Sequence, residues 1–130
     1  MPTLLRKNSY GTIVSNSLTL EQALDINNFA IYIKSFDDDE IVATDLESPW
    51  GCVIAQYLKS VLRTCSVEIY TDHIMINGDR WHLTKYLNII SRDTYRAYRD
   101  NKLSAAITKA DLAKFCTSRR SIVLYRIFNS

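Results

Sequence analysis

Residues 66–81 carry the pattern that most limits how this chain can fold. Apolar and polar residues alternate along 66–70 and again along 73–76, and an Asn-Gly pair follows at 77–78. Alternation places every second side chain on one face of a strand, and Asn-Gly is a strong signal for a tight turn between antiparallel strands. The pattern therefore predicts a three-stranded antiparallel meander that ends near Trp81.

Apolar residues recur with helical spacing both before and after this meander. Before it, Ser48-Pro49 fits a helix N-cap followed by proline at the first helical position. Apolar residues then recur with helical spacing at Trp50, Ile54, Tyr57, Leu58, Val61 and Leu62. After the meander we predict two helical stretches, one from about Leu83 and one over about 93–101. The apolar face of the first consists of Leu83, Tyr86, Leu87 and Ile90.

Short apolar runs and a capping pair predict the elements that precede residue 48. Thr19 and Gln22 have the spacing of a capping box, which predicts a helix from about residue 20. The segments 10–14 and 41–44 fit short strands. The segment 29–33 is rich in β-formers and fits either a strand or the end of the preceding helix.

The last quarter of the chain completes the predicted fold. Thr108 with Asp111 predicts another helix start, and the β-branched and aromatic run 122–128 is predicted as a strand. Three glycines and two prolines in 130 residues argue against linkers and turn-dense all-β folds. We therefore predict an α+β fold, in which a small antiparallel sheet packs against several helices, as one domain over residues 1–130.

The sequence shows no pattern of export or membrane insertion. Residues 1–7 lack the apolar run of a secretory signal, and no stretch approaches the ~20 apolar residues of a membrane span. Cys52, Cys65 and Cys116 form no C-x-x-C motif and fit free thiols in a reducing compartment. We therefore expect a cytoplasmic protein without a membrane partner.

Charge is divided unevenly along the chain. Residues 1–65 hold five Lys and Arg against eight Asp and Glu, whereas residues 66–130 hold eleven against six, for a net charge of +2. The acidic groups concentrate at 37–40, and basic groups are frequent from Arg92 onward. Such an asymmetry can orient a charged partner, whereas the bland alternative is a set of solvated helix faces.

One stretch combines arginine with tyrosine. The candidate binding residues there are Arg92, Tyr95, Arg96, Tyr98, Arg99 and Lys102. The three arginines follow i, i+4, i+7 spacing, so a helix would align them along one edge beside the tyrosines. Guanidinium groups with aromatic faces suit phosphates and unstacked bases. The alternative is an amphipathic helix whose tyrosines pack toward the core while its arginines stay in water.

The segment 108–127 resembles a helix-turn-helix. Ala113 would be its small packed residue, and Ser118, Arg119 and Arg120 would open a second helix that reads bases in the major groove. The usual glycine of the turn is missing, and the β-branched residues that follow favour a strand. Direct DNA binding is therefore an alternative hypothesis.

Cys52 is the candidate nucleophile. It lies shortly after Pro49 in the predicted helix, where a helix N-terminus lowers a thiol pKa, and His73 or His82 could serve as the base. A helix cysteine followed by a strand histidine is similar to the layout of papain-like cysteine hydrolases. A buried structural cysteine is the competing interpretation, so a cysteine hydrolase ranks third among the functions considered.

The sequence offers no metal or cofactor motif. Two histidines and three scattered cysteines provide no ligand pair at zinc-finger spacing, and 37–40 lacks the alternating ligands and central glycine of a calcium loop. The three glycines form no phosphate-binding loop, which argues against nucleotide-dependent enzymes. We expect neither metal nor cofactor, and the acidic segment at 37–40 is either solvated or docks on a basic partner.

The segment 48–58 contains Cys52, Ala55, Tyr57 and Leu58 in a C-x-x-A-x-Y-L pattern. It resembles small uncharacterised proteins of phages and bacterial mobile elements, in which such a helix precedes a β-hairpin and another helix. The resemblance implies an accessory protein that acts by binding a host macromolecule. We therefore expect a non-enzymatic interaction module, of accessory, inhibitor or adaptor type, whose partner is a protein or a protein–nucleic-acid complex. The sequence also permits a homodimer.

Overall fold

A computed structural model describes residues 18–62, 66–117 and 121–129. These ranges contain six helices and five strands. In chain order they are α1 (Leu20–Ala23), α2 (Ile26–Lys34), β1 (Ile41–Ala43), α3 (Val53–Leu62), β2 (Val67–Ile69), β3 (Ile74–Ile76), β4 (Asp79–Trp81), α4 (Lys85–Arg99), β5 (Ile107–Thr108), α5 (Lys109–Thr117) and α6 (Ile122–Phe128).

The meander is confirmed. Strands β2, β3 and β4 pair antiparallel in that order, with Val67 opposite Ile76 and Ile74 opposite Trp81. Asn77 and Gly78 have φ angles of 51° and 88°. Both values lie in the left-handed region that asparagine and glycine adopt most readily, as a two-residue hairpin turn requires.

A second, smaller sheet was not expected from the sequence. Strand β1 pairs antiparallel with β5, which places Ile41 opposite Thr108 and Ala43 opposite Ile107. The predicted α+β class is confirmed, but the antiparallel strands form two sheets rather than one. Because β5 has only two residues, it carries no alternation that a sequence pattern could reveal.

The hydrophobic core is centred on α3, which contacts α1, α4, β1 and β2. Its Tyr57 is fully buried, and its ring meets Phe29 of α2 edge-on, with 5.2 Å between the ring centroids. The Tyr32 ring lies 5.0 Å from the same Tyr57 ring. Helix α2 therefore packs on α3 through three aromatic rings, an arrangement that gains energy beyond the area buried.

Two predicted helix starts are confirmed. Thr19 and Gln22 form a reciprocal capping box at α1. At α5, the Asp111 carboxylate accepts from the Thr108 backbone N–H, and the Thr108 hydroxyl accepts from the Asp111 backbone N–H. The segment 29–33, for which a strand was the alternative, is helical and belongs to α2. The predicted strand at 10–14 lies outside the described residues.

Three predictions about helix boundaries and type were wrong. Ser48-Pro49 does not start α3, because 48–52 form turns and the helix begins at Val53. The two stretches predicted after Leu83 form a single helix, α4. The run 122–128 is helix α6 rather than a strand, since Ser121 caps it and two residues three apart, Leu124 and Ile127, enter the core. Packing has overridden the β propensity of this run.

Helix lengths and composition bear on membrane association. Over the three described ranges, no helix combines the length and the apolar character needed to span a bilayer.

Candidate functional site

Helix α4 presents a basic and aromatic face to solvent. Leu87, Ile90, Thr94 and Ala97 form its buried stripe, and the Thr94 hydroxyl donates to the carbonyl of Ile90 at 2.9 Å. On the opposite side lie the side chains of Arg92, Tyr95, Arg96 and Arg99, all of them exposed. The spacing that predicted one edge for the three arginines therefore holds, because one continuous helix carries them. We call these four residues the α4 basic face.

Within the α4 basic face, Arg99 and Tyr95 are in direct contact. The Arg99 guanidinium donates to the Tyr95 hydroxyl at 3.4 Å, and its central carbon lies 5.9 Å from the Tyr95 ring centroid. The hydrogen bond that the guanidinium donates to Tyr95 raises the pKa of Arg99, so this charge is permanent. The Tyr95 side chain is still 41% exposed. The pair thus forms an ordered cationic and aromatic surface that remains accessible.

Tyr98 takes a different direction from the other candidates on α4. It is half-buried, and its hydroxyl donates to a Glu47 carboxylate oxygen at 3.1 Å. This hydrogen bond raises the pKa of Tyr98. Beside the pair lies a cleft of about 500 Å³ whose lining includes Arg99 and the exposed Lys102. Tyr98 therefore ties the 44–52 loop to α4, and Lys102 lies at the end of the same surface.

A second cleft, of about 210 Å³, contains candidates that the sequence had suggested for different functions. Cys52, Arg92 and Tyr95 all line it, together with Tyr70. Cys52 lies just before α3 and is buried. Burial raises the pKa of its thiol and outweighs the backbone amides at Ala55 and Ile54, which lower it. The thiol is therefore protonated at neutral pH, whereas a nucleophilic cysteine requires the thiolate.

The two histidines have other environments. The His73 ring stacks on Tyr70, with 4.9 Å between centroids, and its Nδ1 lies 2.6 Å from a carboxylate oxygen of Asp72. His82 is exposed. In the part of the chain that the structure describes, neither histidine makes a hydrogen bond to Cys52. The geometry does not assemble the cysteine–histidine pair considered from the sequence.

The helix-turn-helix hypothesis meets a mixed outcome. Helices α5 and α6 pack against each other, and Ala113 is half-buried. The helical state of 122–128 removes one objection to the motif, whereas the missing turn glycine remains. The proposed contact residues Ser118, Arg119 and Arg120, however, lie outside the described residues.

The acidic segment is anchored by backbone contacts. The Asp38 carbonyl accepts from the N–H of Ala110, and the Glu40 carbonyl accepts from the N–H of Lys109. Its three aspartates are exposed. Across the described ranges, no group of three or more His, Cys, Asp or Glu side chains is arranged to hold a metal ion. The segment is thus a fixed acidic surface next to the start of α5.

An apolar groove lies between α2, α4 and α6, and the sequence patterns did not predict it. It has a volume of about 680 Å³, and its lining includes Ile26, Tyr86 and Ile122. Tyr86, predicted on the buried face of α4, is 48% exposed, and Ile122 is 54% exposed. The groove could not be predicted while 122–128 was assigned to a strand, because helix α6 forms one of its walls. We call it the α2–α4–α6 groove.

The α4 basic face and the α2–α4–α6 groove are the two features on which a functional assignment can rest. No family model, curated protein or solved structure matches the chain.

Proposed function

We propose that this protein is a non-enzymatic interaction module that binds an acidic surface of a partner protein through the α4 basic face. The observation that carries the proposal is that Arg92, Arg96 and Arg99 are exposed along one helix face and form no ion pair with any described carboxylate. A single exposed arginine is stable in water and indicates no binding site. Three arginines without carboxylate partners, beside an exposed tyrosine on one helix face, concentrate positive charge and hydrogen-bond donors where an anion can bind.

The side chains of the α4 basic face are already held in place, which favours high affinity for a partner. Arginine and tyrosine are enriched among the residues that dominate binding energy at protein interfaces. The contact between Arg99 and Tyr95 already restricts both side chains, so binding would cost less side-chain entropy. Planar guanidinium groups also donate two parallel hydrogen bonds to a carboxylate, which favours aspartate and glutamate on the partner.

Two further observations support a binding role. The raised pKa of the Cys52 thiol works against a cysteine hydrolase. The order of α3, the β2–β4 meander and α4 agrees with the element order of the phage and mobile-element proteins that the 48–58 segment resembles. An accessory protein of this type, acting in the cytoplasm on a host macromolecule, is the form of the proposal that we favour.

The test begins with partners cross-linked to the wild-type protein in cells and identified by mass spectrometry. Affinity for each partner is then measured for the wild type and for the triple variant Arg92→Ala, Arg96→Ala, Arg99→Ala. Because each central arginine contributes ~2 kcal/mol at a typical interface, we expect the triple variant to bind at least ~100-fold more weakly.

The control variant is Arg80→Ala, which removes an exposed arginine of β4 that lies 3.8 Å from Asp72. Its affinity should stay within about threefold of wild type, since exposed ion pairs contribute little. If the triple variant is folded and retains wild-type affinity for every partner found, the α4 basic face is not the binding surface.

A second candidate function is DNA binding through 108–127. The observation that favours it is the presence of two packed helices, α5 and α6, in that segment. Fluorescence anisotropy with random double-stranded DNA at two salt concentrations tests it, because phosphate contacts weaken steeply with salt. Loss of binding in a folded Arg119→Ala, Arg120→Ala variant is expected under this hypothesis. Absence of binding at low salt, or undiminished binding by the double variant, would eliminate it.

A further inference from the structure

The cleft that Cys52 lines lies directly beside the α4 basic face. It has a volume of about 210 Å³, and its lining comes from the loop before α3, from the end of β2 with the turn that follows, and from α4. Arg92 and Tyr95 belong both to this lining and to the α4 basic face. A partner that covers the α4 basic face therefore meets the mouth of the cleft. We call it the Tyr70–Tyr95 cleft, after the two exposed tyrosines that line it.

The lining of the Tyr70–Tyr95 cleft combines apolar surface with a balanced pair of charges. Leu46, Cys52 and Ile69 line the cleft and are buried, so they form its apolar floor. The charged residues of the lining are Arg92 and Glu47, and their charges cancel. An ionised side chain would lose its water here without a net attraction, whereas an apolar one gains by burial. The cleft therefore favours an uncharged group, although the α4 basic face next to it attracts acidic ones.

The size of the cleft matches one aromatic side chain. An apolar cavity of ~150 Å³ is enough to hold a benzene ring. A volume of about 210 Å³ therefore has room for a single phenyl ring and the methylene group that carries it. Sites for complete small-molecule ligands are usually larger, at about 300–1,000 Å³. One protruding side chain is thus a closer match to this cleft than a nucleotide or a cofactor.

The two tyrosine rings of the lining are held by neighbouring side chains. The Tyr70 ring stacks on His73, with 4.9 Å between centroids, and its hydroxyl donates to a Glu68 carboxylate oxygen at 2.9 Å. The Tyr95 ring is in contact with the Arg99 guanidinium. Aromatic rings in edge-on or offset contact gain energy beyond the area they bury. Two rings that are already fixed therefore favour an aromatic occupant over an aliphatic one of similar size, at little cost in entropy.

We propose that the Tyr70–Tyr95 cleft receives one aromatic side chain of the partner, while acidic residues beside that side chain contact the α4 basic face. The inference rests on the proposed function and specifies the segment that is recognised, which is an aromatic residue flanked by aspartate or glutamate. Three observations support it: the cleft and the face share Arg92 and Tyr95, the volume fits one ring, and the lining carries no net charge. An aromatic anchor in a pocket is also typical of the few contacts that dominate interface energy.

The experiment is an NMR titration of the full chain with unlabelled peptides, so that no fluorophore competes for the cleft. The first peptide is Asp-Glu-Phe-Glu-Asp, and two others carry Ala or Leu in place of Phe. The Ala peptide should bind at least ~10-fold more weakly than the Phe peptide, because it lacks the ring that the cleft buries. The Leu peptide should lie between them, since it buries apolar area without ring contacts. The methyl signals of Leu46 and Ile69 should shift with the Phe peptide and not with the Ala peptide.

A variant that fills the cleft tests where the ring binds. Ser91 is a half-buried residue of α4 that lines the cleft and is not part of the α4 basic face. In Ser91→Trp the Phe and Ala peptides should bind equally, with the affinity that the Ala peptide has for wild type. Thr71→Trp, at an exposed position of the opposite element, should give the same result and serves if Ser91→Trp does not fold. The matched control is Ser60→Trp, at an exposed serine of α3 outside the lining, which should keep the ~10-fold preference for Phe.

The possible results separate this inference from the proposed function. If wild type binds the Phe and Ala peptides with equal affinity, the aromatic anchor is wrong, but recognition of acidic segments by the α4 basic face stands. If wild type binds neither peptide, both proposals fail. A preference for Phe that persists in a folded cleft-filling variant overturns the placement of the ring in the Tyr70–Tyr95 cleft.

Discussion

The hydroxyl group of Tyr57 links α3 to α1 inside the core, and removing it gives a well-defined prediction. The hydroxyl donates to the carbonyl of Ala23 at 2.6 Å, and both residues are fully buried. Burial raises the pKa of Tyr57, so the hydroxyl is neutral and acts as a donor at all ordinary pH values. Ala23 is the last residue of α1, where backbone carbonyls lack helical partners and need others.

The Tyr57→Phe variant isolates this single bond. The ring stays in place, so its edge-on contact with Phe29 and its contact with Tyr32 are preserved. The variant loses a hydrogen bond worth ~1 kcal/mol and leaves a buried carbonyl that has lost its side-chain donor, a situation that costs ~1–3 kcal/mol in measured cases. We therefore expect the free energy of unfolding to fall by about 2 kcal/mol.

Urea unfolding followed by circular dichroism measures this change. With a typical slope of ~2 kcal/mol per molar urea, the midpoint should fall by ~1 M while the slope stays constant. Tyr95→Phe is the control, because its hydroxyl is exposed and accepts only a long hydrogen bond of 3.4 Å from Arg99. It should change stability by less than ~0.5 kcal/mol. A Tyr57→Phe protein as stable as the Tyr95→Phe control would refute the reasoning.

Three further predictions concern the loop before α3, the end of α2 and the response to alkali. Gly51→Ala should lose ~1–3 kcal/mol of stability in thermal melting, because a Cβ there would lie 2.8 Å from the Ser48 hydroxyl oxygen and 2.9 Å from the Asp45 backbone nitrogen; an unchanged melting temperature would contradict the crowding. Lys109→Met should lose ~1–2 kcal/mol and speed amide exchange at the end of α2, since the Lys109 ammonium donates to the carbonyls of Lys34 and Phe36 at 3.0 and 2.7 Å. Lys102→Met, at an exposed lysine, is the matched control and should be neutral. Burial raises the pKa of Cys116 to about 12 and also raises the pKa of Cys52, so the folded state keeps protons that the unfolded state releases above pH ~9. Stability should therefore fall as pH rises from 9 toward 12, by up to ~1.4 kcal/mol per pH unit through Cys116 and further through Cys52, and the fall should be shallower in Cys116→Ala. Urea midpoints that stay level through this range would disprove the linkage.

Local signals predicted the elements whose geometry depends on a few neighbouring residues. The Asn77-Gly78 turn needs only two residues that tolerate positive φ, and the capping box at Thr19 needs only a partner three positions later. The alignment of Arg92, Arg96 and Arg99 follows from helical spacing alone once α4 is known to be continuous. These features required no knowledge of the rest of the chain.

The features that were missed depend on distant contacts. The pairing of β1 with β5 places Ile41 opposite Thr108, and no local sequence pattern at either residue indicates its partner. The hydrogen bond between Tyr98 and Glu47 joins residues 51 positions apart, so the inward turn of Tyr98 could not be read from its own helix. The helical state of 122–128 depends on Leu124 and Ile127 packing into the core. The same error concealed the α2–α4–α6 groove, because α6 forms one of its walls.

The contact that Lys109 makes with the end of α2 has a consequence for the timing of folding during synthesis. Lys34 and Lys109 are 75 positions apart in the chain. A ribosome that adds ~5–20 residues each second needs several seconds to cover that distance. Throughout this interval the last carbonyls of α2 and the acidic segment lack the ammonium and amide donors that later hold them. The meander at 66–81 differs, because the partners of β2, β3 and β4 all lie within sixteen residues of one another and are synthesised almost together.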